Sequence, residues 1–323
     1  MNRALLQKDS QTFRALLAGV PAHPLHMLVG EAGASHGSLA SARPLSVTVP
    51  VVLVQAGVML RDHEELDVVV TAVAQVGFTV DIDGECGFID QVKHPSWWTD
   101  TARPAVGDRL RTVILDASRT PPRLSALSED VRIAQSLRYN EPLIRTCPPP
   151  SAARRPVDWP TVEDQLGTPL PADYKRLIEV YGGGVFSGVL WLMEPGCTDE
   201  MYDSLAQTVE RAAILADLWA AGEAKPAELE QDGVQLVPWG YSENGGEVLY
   251  WLVLPGVPPE DWPVILNEGR GPLWEFHPTS SCSRFLLEVC TGSTGSYYFS
   301  DLGDFVSPSE QGAFLPNAEL LRQ

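Results

Sequence analysis

Apolar and polar positions alternate most regularly in the second half of the chain. One set of apolar residues recurs at i, i+3, i+4 and i+7, the spacing of one helical face: Tyr174, Leu177, Ile178 and Tyr181. Pro171 suits the start of this helix, and the three glycines at 182–184 suit its end. A shorter helix is predicted before it, over 158–166, with Asp158 as its capping residue.

Short apolar runs dominate the rest of that half. They predict a strand over 185–193, then a long helix from Thr198 to about Ala221, which Gly222 ends. Further strands are predicted over 234–239, 247–254, 262–266 and 273–276, and a last helix runs from Thr279 to Gly292. Helices followed by strands and a closing helix indicate an α+β domain with helices on one face of a mostly antiparallel sheet.

The middle of the chain shows another pattern. Apolar runs over 66–76, 77–82, 86–89 and 109–115 are short and separated by turn residues such as Asp83-Gly84 and Val106-Gly107-Asp108. Several short strands joined by Gly/Asp turns favour a small closed sheet.

A proline-rich stretch over 147–156 separates these two regions and predicts a stiff linker. Charge changes at the same place. Residues 1–150 hold 14 basic and 16 acidic side chains, whereas residues 151–323 hold 9 basic and 26 acidic ones. We therefore expect a domain at 66–137 and a second at 157–323 with a C-terminal tail. Residues 1–60 form an N-terminal extension whose pattern predicts no role.

Composition narrows the class of protein. The 323-residue chain carries a formal net charge of −19, which argues against a non-specific nucleic-acid binder and against a protein of anionic membranes. The most apolar run, residues 45–60, is interrupted by polar residues and too short to predict a membrane span. Five scattered cysteines without a CxxC motif and no evident signal peptide favour a reducing, cytoplasmic location.

The middle region resembles a known fold family. The stretches VGFTVDIDGECGFID and VGDRLRTVILDASRTPPRLSALSEDVRIA are similar to the OB-fold domain named after ribosomal protein S-one, over about residues 66–137. The resemblance implies RNA contacts at Phe78, Phe88 and His94. Arg109 and Arg111 would supply positive charge, but residues 66–138 hold 8 basic and 10 acidic side chains, so we expect weak RNA binding. The alternative is that the two phenylalanines fill the barrel.

The second half resembles another family. The stretch from Trp159 through Leu170-Pro171-Ala172-Asp173-Tyr174-Lys175 to Gly184 is similar to the opening motif of the SUKH superfamily. Val237-Pro238-Trp239-Gly240, followed by Asn244-Gly245-Gly246 and Leu249-Tyr250-Trp251, is similar to its second motif. The resemblance covers about residues 157–291 and implies helices on a sheet, no enzymatic activity, and the binding and neutralisation of bacterial toxins, many of them nucleases.

The sequence contains no motif that predicts an enzyme. The sequence contains no Walker loop, HExxH, GxSxG or suitably placed GxGxxG. No carboxylate or cysteine cluster completes a metal site around the six histidines, so neither a metal nor another cofactor is expected.

Function then follows as an expectation: a non-catalytic immunity protein that binds a basic toxin domain through an acidic surface. The candidate contacts lie at a predicted helix start and a predicted exposed turn: Asp158, Trp159 and Glu163, and Glu243, Asn244 and Glu247. The alternative is an RNA-associated regulator that binds single strands through the barrel.

Overall fold

The structure is a computed structural model that describes residues 60–151, 155–243, 245–269, 271–300, 306 and 310–321. The predictions for the N-terminal extension, and nearly all of the apolar run at 45–60, lie outside these residues. Residues 60–323 form one compact unit. It is α+β, with a closed five-stranded barrel followed by helices and an antiparallel sheet, which confirms the predicted class at this level.

The barrel is built from five strands. These are β1 (Glu65–Ala74), β2 (Gly77–Ile82), β3 (Glu85–Asp90), β4 (Arg109–Asp116) and β5 (Arg123–Ser125). They follow the order β1-β2-β3-β5-β4, and β4 pairs back onto β1 to close the barrel. The predicted Asp83-Gly84 turn joins β2 and β3, with positive φ at both residues. Alternate residues point inward, as a barrel requires; the buried set is Val68, Val70, Phe78, Val80, Ile82, Ile89, Ile114 and Leu124.

Helices follow the barrel. They are α1 (Ser128–Leu137), α2 (Asn140–Thr146), α3 (Trp159–Leu166), α4 (Ala172–Tyr181), α5 (Ser204–Ala220), α6 (Cys282–Thr291) and α7 (Asn317–Leu320). The helices α3 and α4 agree closely with the predicted ones, and Asp158 accepts the backbone N–H of Thr161 as expected of a cap. The helices α1 and α2 were not predicted. The helix α1 contacts both β4 and α4, while α2 packs on α6.

The second sheet contains β6 (Gly184–Phe186), β7 (Leu190–Leu192), β8 (Gln235–Ser242), β9 (Val248–Val253), β10 (Val264–Asn267), β11 (Trp274–His277) and β12 (Phe314–Pro316). Its order is β11-β10-β9-β8-β7-β6-β12, and every neighbouring pair is antiparallel. The four later strands were predicted to within about two residues at most ends. β12 was not predicted.

Both faces of this sheet are covered. Residues of α2, α3, α4 and α6 share one large core with one sheet face, around Tyr174, Tyr181, Trp239, Trp251 and Phe285. A smaller core lies on the opposite face around Tyr250 and Ile265, and Trp219 of α5 packs against it. Helices on both faces correct the prediction that they occupy one face only.

Three element boundaries also differ from prediction. The predicted strand over 185–193 is the hairpin β6–β7, because Ser187 and Gly188 adopt positive φ and form a tight turn. The helix α5 begins after Asp203 rather than Thr198, since the Asp203 carboxylate accepts the N–H of Leu205. Ser281, not Thr279, caps α6 in the same way.

The predicted linker is tied to the core at its first residue. Cys147 is completely buried, and its carbonyl oxygen accepts a hydrogen bond from the Tyr181 hydroxyl at 2.6 Å. Ser151, Arg155 and Pro156 are exposed. The proline-rich chain therefore leaves the core only after its first residue.

Candidate functional site

A cleft of about 750 Å³ opens at one end of the second sheet. Its walls come from the start of α3, the glycines after α4, the loop at 194–198 and the C-terminal segment at 316–321. Apolar side chains of the main core, among them Val162, Ile178 and Tyr181, form part of its lining. A concave, partly apolar cavity with a few polar groups is the usual form of a binding site.

The polar groups of the cleft form a small network. The Glu194 carboxylate accepts the N–H of Gly183 at 2.6 Å and the Asn317 side-chain amide at 3.4 Å. The same Asn317 nitrogen lies 3.5 Å from the Cys197 sulfur. Asn317 is only 2 % exposed, yet its amide oxygen has no hydrogen-bond partner among the described residues. An unpaired buried acceptor is costly unless a donor binds it.

Acidic side chains outnumber basic ones in and around the cleft. Burial raises the pKa of the Cys197 thiol, and the charges of Glu194, Asp199 and Asp203 raise it further. The thiol is therefore neutral at neutral pH and a poor nucleophile. Asp158 adds a carboxylate at the exposed mouth, and Arg155 is the one basic residue of the described lining.

The predicted contact residues on α3 have local structural roles. Asp158 is exposed and caps the helix, accepting the Thr161 hydroxyl at 2.8 Å. Trp159 is half-buried and packs edge-on against Tyr174, with ring centroids 6.1 Å apart. Glu163 pairs with Lys175 and accepts the backbone N–H of Leu170. Asp158 alone of the three lines the cleft.

The predicted turn between β8 and β9 is not the exposed acidic turn we expected. Glu247 is 8 % exposed, and Glu243 is half-buried and accepts the indole N–H of Trp191. The expectation of exposure was therefore wrong for Glu247. Asn244 lies outside the described residues. Neither glutamate lines the cleft.

In the barrel, two of the three rings predicted to contact RNA are buried. Phe78 is 0 % exposed and His94 5 % exposed, with centroids 5.1 Å apart in an edge-on arrangement. Burial lowers the pKa of His94, and the charge of Arg103 acts in the same direction, so the imidazole is neutral at pH 7. Neither ring presents a free face on which a base could stack.

The remaining barrel candidates are more accessible. Phe88 is half-buried, with the Arg123 guanidinium 4.6 Å from its ring centroid. Arg109 is exposed, and Arg111 is held by an ion pair with Glu65. The most exposed aromatic side chains nearby belong to Trp97 and Trp98, which are 51 % and 66 % exposed.

Sequence reasoning missed Glu194 and Asn317, the polar centre of the cleft. Glu194 lies just after a strand and carries no recognisable motif, and Asn317 lies in a tail to which no element was assigned. One signal was present in the three glycines. A side chain at Gly183 would collide with Asn317 and would lie 2.8 Å from Cγ of Glu194, so this position keeps the network close-packed.

Within the described residues, no three His, Cys, Asp or Glu side chains are grouped so that they could hold a metal ion. No described helix is both long enough and apolar enough to cross a membrane.

No protein-family model matches the chain, and no curated protein is significantly similar to it.

Proposed function

We propose that this protein is a non-catalytic, cytoplasmic immunity protein that binds and neutralises a basic toxin domain, such as a nuclease, through its acidic second half. The observation that carries the proposal is charge. Nine basic side chains in residues 151–323 can neutralise at most nine of the 26 carboxylates one to one. We expect most of the excess to face solvent or a partner, because unpaired buried charges are strongly disfavoured, with Asp173 and Glu247 as buried exceptions.

The excess is concentrated around α5. Residues 199–232, here termed the acidic segment, contain nine acidic and two basic side chains. Seven of the nine acids are exposed: Asp199, Glu200, Glu210, Asp217, Glu228, Glu230 and Asp232. The acidic segment begins beside the cleft, whose lining includes Thr198 and Leu205. Such a surface steers a basic protein toward it and repels nucleic acid.

The resemblance to the SUKH superfamily supports the immunity role, and the helix-covered antiparallel sheet is compatible with it. The thiols of Cys197 and Cys282 also favour binding over catalysis. All five cysteines are free of disulfides, in keeping with a reducing compartment. Burial raises the pKa of the Cys282 thiol well above its usual range, so it is protonated and not a nucleophile.

The experiment uses the full chain as bait in lysate from its source cell. The proposal expects a basic protein whose toxicity is lost when the two bind. The test variant reverses three exposed acids of the acidic segment, Glu200, Asp217 and Glu228, to Lys. We expect at least about a tenfold loss of affinity, caused by a slower association rate.

The control variant reverses the same number of exposed acids in the first half, Asp67, Asp100 and Glu129, to Lys. Its overall charge equals that of the test variant. If both variants lose affinity equally, only net charge matters and the assigned surface is wrong. If the captured partner is acidic, or keeps its toxicity when bound, the proposed function is wrong.

A second candidate function rests on the exposed Trp97 and Trp98, which could stack on single-stranded RNA. The barrel region carries slightly more acidic than basic residues, so we expect weak binding at physiological salt. Tight, steeply salt-dependent binding to a single-stranded RNA, lost in Trp98→Ala, would favour this function over the first.

A further inference from the structure

From the cleft we infer that it is the anchor point of the complex and takes one arginine side chain of the basic partner. The inference rests on the proposed function and assigns the residue chemistry that the partner must supply. Three features of the cleft support it: its apolar lining, its acceptors and its charge.

The apolar lining fits an aliphatic stem. Val157, Val162, Ile178, Leu205 and Leu321 line the cleft together with three prolines. An arginine buries three methylene groups along such a surface while its charged head reaches beyond them. A compact cation such as a hydrated metal ion would leave this apolar surface uncovered.

The acceptors fit the head of the side chain. Asn317 directs its amide nitrogen to the Glu194 carboxylate, so exchanging nitrogen and oxygen would place two acceptors against each other. The unpaired atom is therefore the oxygen, which needs a donor. A guanidinium offers five N–H donors in a planar fork, enough for the Glu194 carboxylate and, once the buried Asn317 side chain turns toward the cleft, for this oxygen as well. A lysine offers three donors at a single point and matches the arrangement less well.

The charge also fits a cation. Asp158 and Glu194 line the cleft, and Asp199 and Asp203 lie close enough to influence Cys197 electrostatically. Arg155 is exposed at the mouth and is the one cation of the described lining. An arriving guanidinium is attracted to the cleft and pairs with the Glu194 carboxylate, which is partly screened from water, so that this pairing is stronger than one at the surface.

The test uses the ¹⁵N-labelled full chain and a defined probe, N-acetyl-arginine-methylamide. Its neutral counterpart, N-acetyl-citrulline-methylamide, has nearly the same shape but lacks the charge. We expect the arginine probe to shift the amide signals of Gly183, Gly196 and Cys197 and the side-chain amide of Asn317. The citrulline probe should bind at least about tenfold more weakly, because the charge-assisted bonds are lost.

The test variant is Glu194→Gln, which keeps an acceptor for the N–H of Gly183 and removes the charge. The control is Glu228→Gln, an exposed acid outside the cleft. We expect Glu194→Gln to bind the arginine probe about tenfold more weakly than the parent protein and to bind the captured partner more weakly as well. We expect Glu228→Gln to bind both as the parent does. Equal binding of both probes to the parent protein, or shifts elsewhere alone, would overturn the inference even if Glu194→Gln fails to fold.

The remaining outcomes separate the two proposals. If the probes discriminate but the captured partner binds Glu194→Gln as tightly as the parent, the cleft takes a free cationic molecule and the assignment to a partner's arginine is wrong. If no basic protein is captured at all, the proposed function fails together with that assignment, whereas the probe result alone decides whether the cleft recognises a guanidinium.

Discussion

At the scale of single residues, Asp173 links two helices of the second half. It lies in the first turn of α4 and is completely buried. Its carboxylate accepts the backbone N–H of Ser283 at 2.9 Å, the Ser283 hydroxyl at 2.8 Å and the N–H of Tyr174 at 2.8 Å. Since Ser283 lies at the N-terminus of α6, the carboxylate also interacts favourably with the dipole of that helix.

We predict that Asp173→Ala lowers the free energy of unfolding by about 2–3 kcal/mol, because it removes the acceptor of two buried backbone N–H groups, those of Ser283 and Tyr174. Urea unfolding followed by circular dichroism measures this. The control is Glu179→Ala on the same helix, an exposed residue whose loss should change stability by less than about 1 kcal/mol. Equal effects of the two substitutions would show that the carboxylate is not the link.

The same residue predicts a pH dependence. Burial raises the pKa of Asp173 in the folded protein above its ordinary value, despite the hydrogen bonds that oppose the shift. The folded state therefore holds this proton at pH values where the unfolded chain has released it. The free energy of unfolding falls as pH rises from the ordinary carboxyl pKa through the raised value.

Asp173→Asn removes this titration, so the stability difference, parent minus variant, should decrease as pH rises over that window and then become constant. Unfolding curves at a series of pH values give this difference directly. A difference that increases with pH would mean that the hydrogen bonds outweigh burial and that the pKa is lowered.

Local sequence patterns predicted backbone conformations better than they predicted long-range contacts. The three glycines after α4 were correctly predicted to end the helix: Gly182 has a positive φ and its N–H bonds back to Ile178. Gly183 and Gly184 have different reasons for lacking a side chain, since a Cβ would meet Asn317 at the former and the backbone of β12 at the latter. Both partners lie more than 120 residues away, and no local pattern could show them.

At the scale of elements, β12 is the clearest case of structure set by distant packing. It has three residues, one of them a proline, so its sequence carries little strand signal. It is held at the edge of the sheet by β6, and Phe314 packs against Tyr181 and Phe186 with centroids 4.8 and 4.7 Å apart. The strand covers β6, which would otherwise be the exposed edge of the sheet.

We predict that Phe314→Ala lowers the free energy of unfolding by about 3 kcal/mol, because it removes a nearly buried ring from a cluster of three. Thermal and urea unfolding measure the change. Val209→Ala is the control, since that side chain is 74 % exposed and should contribute little. A loss for Phe314→Ala as small as the control's would mean that β12 is not part of the cooperative fold.

The elements that were predicted correctly carry a local signal in their own sequence. The helix α4 buries Tyr174, Leu177, Ile178 and Tyr181 as its helical spacing predicted, and the barrel strands follow turn residues that the sequence shows openly. The helices α1 and α2 were missed because they bury few apolar residues of their own, Ala134 and Leu143. They are stabilised by α4 and α6, contacts that only the folded chain provides.

At the scale of the whole molecule, α1 and α2 join the barrel to the second half. We therefore predict that limited proteolysis cuts within 151–156, where the described residues are exposed, but leaves the two fragments associated. Size-exclusion chromatography of the nicked protein should show one species under native conditions and two in denaturant. Separation under native conditions would show that the barrel is an independent domain joined by a linker alone.

The charge asymmetry is a whole-molecule property that the sequence already revealed. Its location was harder to infer, because Glu163 and Glu243 bind groups within the fold and Glu247 is buried, whereas no residue of the acidic segment was among the predicted contacts. Which carboxylates remain accessible depends on the folded neighbours of each residue, and this changes the surface on which a partner is expected.

The central claim is that the acidic second half binds a basic protein electrostatically. The most direct measurement is the affinity of the full chain for its captured partner by titration calorimetry, from about 50 mM to about 500 mM NaCl. The account predicts one partner per chain and an affinity that falls steadily across this range, less steeply for the Glu200, Asp217 and Glu228 triple reversal. An affinity that is unchanged by salt, or a slope identical in the triple reversal, would contradict it.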